Sequence, residues 1–265
     1  MIAVSRLSVS PVKGFQLVHP DEVTLGANGV AENRRFYLVD ERGLRFGQLR
    51  HGPLVRISAW YEPEREHLVF RFHDGRETAG TVELGGPVTT DFYGRPVAGH
   101  LVEGPWSAAV SDYIGRELRL VRADAPGGGI DRARGGVSIL SEASVAELAR
   151  RAGRDTVDDR RFRMLIHVAG AEAHEEDTWI GRELEIGEAI VRIRGDVGRC
   201  AITTQDPETG VGDFDTLREI KRYRGVTTEK KHIPFGVFGE VVAPGRVRIG
   251  DPVRPLERSR LDRPA

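Results

Sequence analysis

One cysteine in 265 residues cannot close an intrachain disulfide, complete a Cys-rich zinc site or hold an iron–sulfur cluster, and it suits a reducing compartment. Net charge is almost absent too: 39 Lys and Arg stand against 40 Asp and Glu. That balance removes the broad electrostatic argument for nucleic acid or an anionic membrane as a partner. No stretch approaches the ~18 consecutive apolar residues of a membrane span. The opening Met1-Ile2-Ala3-Val4-Ser5-Arg6 lacks the basic and apolar regions of a signal peptide, so a cytoplasmic location is expected. The polar, aperiodic 257–265 reads as a frayed tail.

What is present is an ordinary globular composition, 39% apolar and 30% charged, organised in short runs. Ile2–Val9, Glu22–Leu25, Phe36–Val39, Leu54–Trp60, Leu68–Phe72 and Val82–Leu84 read as strands, punctuated by Gly, Pro, Asn and Asp, including Gly85-Gly86-Pro87. A helix over Ser107–Ile114 and a strand over Leu118–Arg122 follow. Five glycines and a proline in 123–136 have the signature of a linker. Beyond it, Ser141 is placed to cap a helix over Glu142–Ala152. Strands are expected at Phe162–Val168, Leu184–Ile186, Ala189–Ile193, Val237–Val242 and Val247–Ile249, with a helix over Thr216–Tyr223. The fold class is therefore mainly β with some α (α+β), in two β-barrel-like modules. Residues 1–122 form the first, 123–136 the linker and 137–256 the second.

Cys200 lies in Gly198-Arg199-Cys200-Ala201-Ile202-Thr203-Thr204, ahead of the turn-forming Asp206-Pro207-Glu208-Thr209-Gly210. A lone cysteine is most often a small buried hydrophobe. A cationic neighbour such as Arg199 favours instead the thiolate, which attacks electrophiles or ligates soft metals. Arginines recur beside predicted strands, at Arg34-Arg35 and Arg160-Arg161-Phe162-Arg163, and Lys13 sits in a Pro-Val-Lys-Gly turn. Singly, each is solvated surface charge; converging, they would suit an anionic, phosphate-bearing ligand. His167 reads as a satisfied, half-buried strand residue, and His174-Glu175-Glu176-Asp177 as a solvated loop, so a conventional zinc site is not expected. Gly127-Gly128-Gly129 and Gly135-Gly136 lack the Lys-Ser/Thr of a P-loop, and there is no Gly-x-Ser-x-Gly elbow.

The run 198–210 resembles the cysteine motif of the MOSC family, named for the molybdenum-cofactor sulfurase C-terminal domain. Leu140-Ser141-Glu142-Ala143-Ser144, Arg161-Phe162-Arg163, Glu176-Asp177-Thr178-Trp179 and Ile249-Gly250-Asp251-Pro252-Val253 are similar to further motifs of that family, in order. Ser10-Pro11-Val12-Lys13-Gly14 and Asn33-Arg34-Arg35-Phe36 resemble the N-terminal β-barrel domain that precedes MOSC in the amidoxime-reducing components. The resemblance implies a MOSC β-barrel preceded by a smaller N-terminal barrel. It also implies a molybdenum–molybdopterin cofactor (Moco), with Cys200 as both metal ligand and catalytic residue. Lys13, Gly14, Arg35, Arg163, Gly198, Arg199 and Phe238 would be cofactor contacts, in a crevice between the modules. Met164-Leu165 stand where relatives often carry Pro-Asn, and Gly14 and Gly198 where some carry serine. The activity implied is reduction of a small-molecule N-hydroxylated substrate. With one cysteine, electrons would come from a separate electron-transfer protein of iron–sulfur, haem or flavin type, and neither nucleic acid nor membrane is expected as a partner. Two other readings stay open: a non-catalytic cofactor carrier or sulfur-transfer module, and a metal-free thiol enzyme using Cys200 as nucleophile.

Overall fold

The short β-branched runs become strands nearly throughout. A computed structural model describes residues 1–127, 130–132, 135–229 and 231–256. In the first half the strands are β1 (Ala3–Leu7), β2 (Glu22–Gly26), β3 (Gly29–Val30), β4 (Phe36–Asp40), β5 (Arg45–Phe46), β6 (Ser58–Glu62), β7 (His67–Arg71), β8 (Glu77–Thr81), β9 (Glu83–Asp91), β10 (Pro96–Glu103) and β11 (Leu118–Ala123), with helix α1 (Trp106–Ile114) before the last. The second half adds β12 (Val137–Ser141), α2 (Glu142–Arg151), β13 (Ile166–Ala169), β14 (Glu183–Ile186), β15 (Ala189–Gly198), α3 (Thr216–Arg224), β16 (Pro234–Ala243), β17 (Gly245–Arg248) and β18 (Val253–Pro255).

The second half builds a seven-stranded sheet in the order β1-β13-β12-β16-β15-β14-β18. Its first strand comes from the N-terminus: β1 runs antiparallel to β13, with Leu7 opposite Ile166. The other edge of β1 meets the end of the chain through an Ala3–Pro252 bridge, Val4 N to Asp251 O at 2.9 Å and Val253 N to Ile2 O at 2.9 Å. The sheet is thereby nearly a closed barrel, filled by Val4, Leu7, Ile139, Ile166, Val191, Val237 and Val253. β2 pairs with β17 in a small flanking sheet. β1 and β2 thus pair with the second half, while Val12 and Phe15 between them pack in the core of the first.

The first module keeps a five-stranded sheet, β5-β4-β11-β10-β9, and a three-stranded one, β6-β7-β8. Phe15, Phe36, Phe70 and Trp106 fill the space between them. α1 lies against this core; Trp106, Val110 and Ile114, spaced four apart, are its buried positions. A third cluster, Leu140, Leu148, Phe162, Met164, Ile220 and Phe235, seats α2 and α3 on the barrel. Ser141 caps α2 as expected, its side chain accepting from Ala143 N at 3.1 Å.

Several local expectations are corrected. Pro53 starts a 3₁₀ turn over Gly52–Arg56, so β6 begins only at Ser58. Asp158 caps a 3₁₀ turn at Asp159–Phe162, and Arg163 takes φ = +52°, delaying β13 to Ile166. Gly85-Gly86-Pro87 does not end the strand: it lies inside β9, an edge strand, and the register with β10 shifts there, between Pro87 opposite His100 and Leu84 opposite Val102. Within the 123–136 stretch, Asp124, Ala125 and Pro126 are exposed, whereas Ile130 is buried and Asp131 forms ion pairs described below. Its residues 128, 129, 133 and 134, like the tail 257–265, lie outside the described residues. Glu175–Trp179 is a 3₁₀ turn burying Glu176 and Trp179, with Glu176 accepting from Ser144 Oγ at 2.7 Å. His167 is fully buried rather than half-buried, and neither ring nitrogen has a hydrogen-bond partner. Among the described residues, no helix is long and apolar enough to cross a membrane.

Candidate functional site

The two N-terminal motifs interlock before they reach the site. Arg34 N donates to Ser10 O at 2.7 Å, Phe36 N to Pro11 O at 2.9 Å and Lys13 N to Phe36 O at 2.8 Å. Asn33, buried, accepts from Ser10 N at 3.0 Å. Arg34 has φ = +54° and Gly14 φ = +93°. A Cβ at Gly14 would come within 3.2 Å of Gln48 N, so glycine suits this close approach of two backbones. These turns aim Lys13 and Arg34 into a cavity of about 450 Å³ between the modules, walled on the other side by 161–164 and 197–203.

Cys200 stands on that wall, exposed. It lies two residues past the end of β15, where the β15–β16 register shifts between Asp196 and Gly198 and Gly198 pairs with Pro234. Such irregularities re-aim a chain at the rim of a sheet. The following turn, Ala201–Thr204, is fixed from behind by Arg161, whose side chain is 3% exposed. Its guanidinium donates to Thr203 O and to Asp213 Oδ1, each at 3.1 Å.

Arg199 and Arg163 are the inner cations. Arg199 donates to Phe235 O at 2.8 Å and Phe162 O at 3.0 Å, and its Cζ lies 5.2 Å from the Phe162 ring centroid. With these donors committed to carbonyls, it offers the site fixed charge more than hydrogen bonds. Arg163 donates to Phe15 O at 2.6 Å and Ser10 Oγ at 3.2 Å, tying the second module to the first. Burial, and then like charge from Arg132 for Arg199 and from Arg34 for Arg163, pulls both guanidinium groups down to about 9. Burial lowers Lys13 as well, against the opposing pull of Asp131.

Asp131 is the single carboxylate among the described residues lining the cavity, against eight Lys and Arg. It pairs with Lys13 Nζ, and with Arg34 Nη1 at 2.8 Å. Burial would raise its pKa, but the charges of Arg34 and Lys13 outweigh that and hold it well below the carboxylate range. One carboxylate cannot neutralise this wall, so the cavity suits an anionic ligand.

Of the residues singled out in the sequence, Lys13, Gly14, Arg163, Gly198, Arg199 and Cys200 come together here. Arg35 does not: it points away, Nη1 donating to Ala123 O at 2.7 Å, and Arg34 takes its place because the left-handed turn reverses the side-chain directions. Phe238 does not line the cavity either; it lies beneath Arg132, whose Cζ is 4.8 Å from its ring centroid. Sequence reasoning missed Asp131, Arg132, Arg45 and Tyr93. Only the charges of the first three offered a signal, and charge alone does not tell a wall from a surface.

Among the described residues, no three His, Cys, Asp or Glu side chains are grouped to hold a metal ion. The donor set of the cavity is one exposed thiol amid cations. It fits a metal that arrives with ligands of its own on an anionic carrier, and does not fit a bare cation.

Comparison with known proteins agrees with this architecture. Residues 1–104 match the MOSC N-terminal beta barrel domain and residues 128–254 the MOSC domain. Mitochondrial amidoxime reducing component 2 of Bos taurus is 41% identical over 123 residues, 44% of this chain and 36% of that protein. Mitochondrial amidoxime-reducing component 1 of Homo sapiens is 35% identical over 121 residues, 43% of this chain and 35% of that protein. The chain thus spans little more than a third of the length of these relatives. Among solved structures, the YUAD protein from Bacillus subtilis aligns over 96% of this chain and 94% of its own, with a TM-score of 0.46 and 13% identity. With both domain matches falling on the two halves that wall the cavity, the chain is a MOSC domain protein that carries the MOSC N-terminal beta barrel domain ahead of it.

Proposed function

We propose that this chain binds a molybdopterin-type molybdenum cofactor in the cavity through Cys200. With it, the chain would reduce N-hydroxylated compounds, drawing electrons from a separate redox protein. The observation that carries this reading is the exposed lone thiol on the wall of a cavity lined, among the described residues, by eight cations and one carboxylate. The relatives' own names, amidoxime-reducing components, point to the same substrate class. When bound, the cofactor supplies two-electron redox chemistry at its metal. The chain's own part is binding, orientation and access. Lys13 and Arg163 would meet the phosphate, and Gly14, without a Cβ, lets the backbone approach closely. Arg34 and Asp131 would hold Lys13 in place, and Arg199 would keep positive charge beside the ligating sulfur. An exposed thiol suits a reducing, cytoplasmic setting.

The test is metal and pterin analysis of freshly purified protein, followed by turnover of an N-hydroxylated compound with reduced viologen as donor. The expected result is molybdenum and pterin in near-equal amounts and reduction with viologen, but none with NADH alone. Protein without molybdenum overturns the reading. Bound cofactor that reduces no N-hydroxylated compound would instead support a carrier.

A further inference from the structure

The mouth of the cavity differs in character from its inner wall. Two exposed large hydrophobic side chains line it, Leu49 at 57% and Tyr93 at 67% exposure. Tyr93 occupies the tip of the β9–β10 hairpin, a two-residue loop with Gly94. Phe92 N donates to Arg95 O at 2.8 Å and Arg95 N to Phe92 O at 3.3 Å, closing it. Both loop residues have positive φ, +62° for Tyr93 and +81° for Gly94. Loops of this kind favour Asn, Asp or Gly at both positions, and a bulky aromatic there is strained. Such strain persists where surrounding contacts over-determine it.

Here that contact is Arg45. Its Cζ sits 4.0 Å from the Tyr93 ring centroid and 5.2 Å from that of Phe92. Its Nη1 is buried and makes no hydrogen bond, so this nitrogen has no other partner to give up. The guanidinium therefore clamps one side of the Tyr93 ring while most of the side chain stays open.

We infer that Tyr93, held by Arg45, is a specificity-determining residue that stacks on the planar ring of an aryl-bearing N-hydroxylated substrate at the cavity mouth. The inference rests on the reductase reading above for its substrate class. An aromatic ring fixed in advance loses little freedom on binding and presents a π face that an alkyl chain cannot match. Leu49 adds apolar surface that does not discriminate between them. Arg45 acts as a positioning residue through Tyr93.

The test compares an aryl with an alkyl amidoxime on the cofactor-loaded protein with reduced viologen, together with equilibrium binding of the aryl compound to cofactor-free protein. Tyr93→Asn suits the left-handed loop, so the hairpin stays formed; Tyr93→Phe keeps the ring. The expected result is an aryl-over-alkyl preference in KM of about tenfold, reduced to near unity in Tyr93→Asn and retained in Tyr93→Phe. Aryl binding to the cofactor-free protein should weaken in Tyr93→Asn alone. Equal KM for both compounds in the wild type, or a preference untouched by Tyr93→Asn, overturns the inference and leaves the reductase reading standing. If the wild type reduces neither compound yet binds the aryl amidoxime in a Tyr93-dependent way, the reductase reading fails and the aromatic subsite stands.

Discussion

Lys13 and Asp131, 118 residues apart, meet on the cavity wall, where Asp131 also takes Arg34 at 2.8 Å. A carboxylate from a glycine-rich stretch thus joins the two turns that build one side of the site. Replacing it leaves two partly buried cations facing each other.

Asp131→Asn should therefore cost about 1–3 kcal/mol of stability at neutral pH, measured by urea unfolding. Folding lowers the pKa of Asp131, so its contribution is present above the ordinary carboxylate value of about 4 and is lost as pH falls through the native value. The gap between wild type and variant should narrow below about pH 4. A gap that widens there would contradict the pairing.

His167 sets a second pH dependence with its own window. Burial holds the ring at about 4, against an ordinary 6.5, with Asp159 3.5 Å away. The unfolded chain therefore takes up a proton first. Stability should fall as pH drops from 6.5 toward 4, by about 3 kcal/mol for this group. His167→Gln should flatten part of that slope in unfolding experiments between pH 7 and pH 4; an unchanged slope would count against a buried neutral ring.

The modules also touch backbone to backbone. A Cβ on Gly52 would overlap the Gly210 carbonyl, so Gly52→Ala must push the 206–211 turn away from the first module. A loss of about 1–3 kcal/mol is expected by thermal denaturation. Gly212→Ala, with nothing within 4 Å of the added carbon, should stay within about 0.5 kcal/mol and serves as the control.

Cys200→Ser should abolish molybdenum binding, read by elemental analysis, while moving the melting temperature by no more than a degree or two. An exposed side chain contributes little packing to lose. A large fall in stability would place the sulfur in the core instead.

Much of this architecture was legible because its signals are local. The Ser141 cap, the apolar face of α2 and the β-branched runs each act over a few residues. Lys13, Gly14, Arg163, Gly198, Arg199 and Cys200 were legible through the motifs that carry them. The choice between Arg34 and Arg35 was not: one residue at φ = +54° inverts which side chain faces inward, and neighbouring arginines look alike in sequence. Asp131 was hidden by the glycines around it, since composition does not show that a loop is pinned by distant cations. Tyr93 gave no signal because its role depends on Arg45 arriving from another strand.

Because β1 is seated between β13 and β18, the last staves of the barrel are joined by a strand that lies far earlier in the sequence. Ala3–Leu7 has no partner until Ile166–Ala169 has emerged, and no second partner until Pro252 has. Closure is accordingly a late event spanning nearly the whole chain, the kind of long-range pairing that slows folding. A fragment cut at residue 123 would begin life with two bare strand margins on either side of a missing stave, each a template on which a neighbouring fragment could pair.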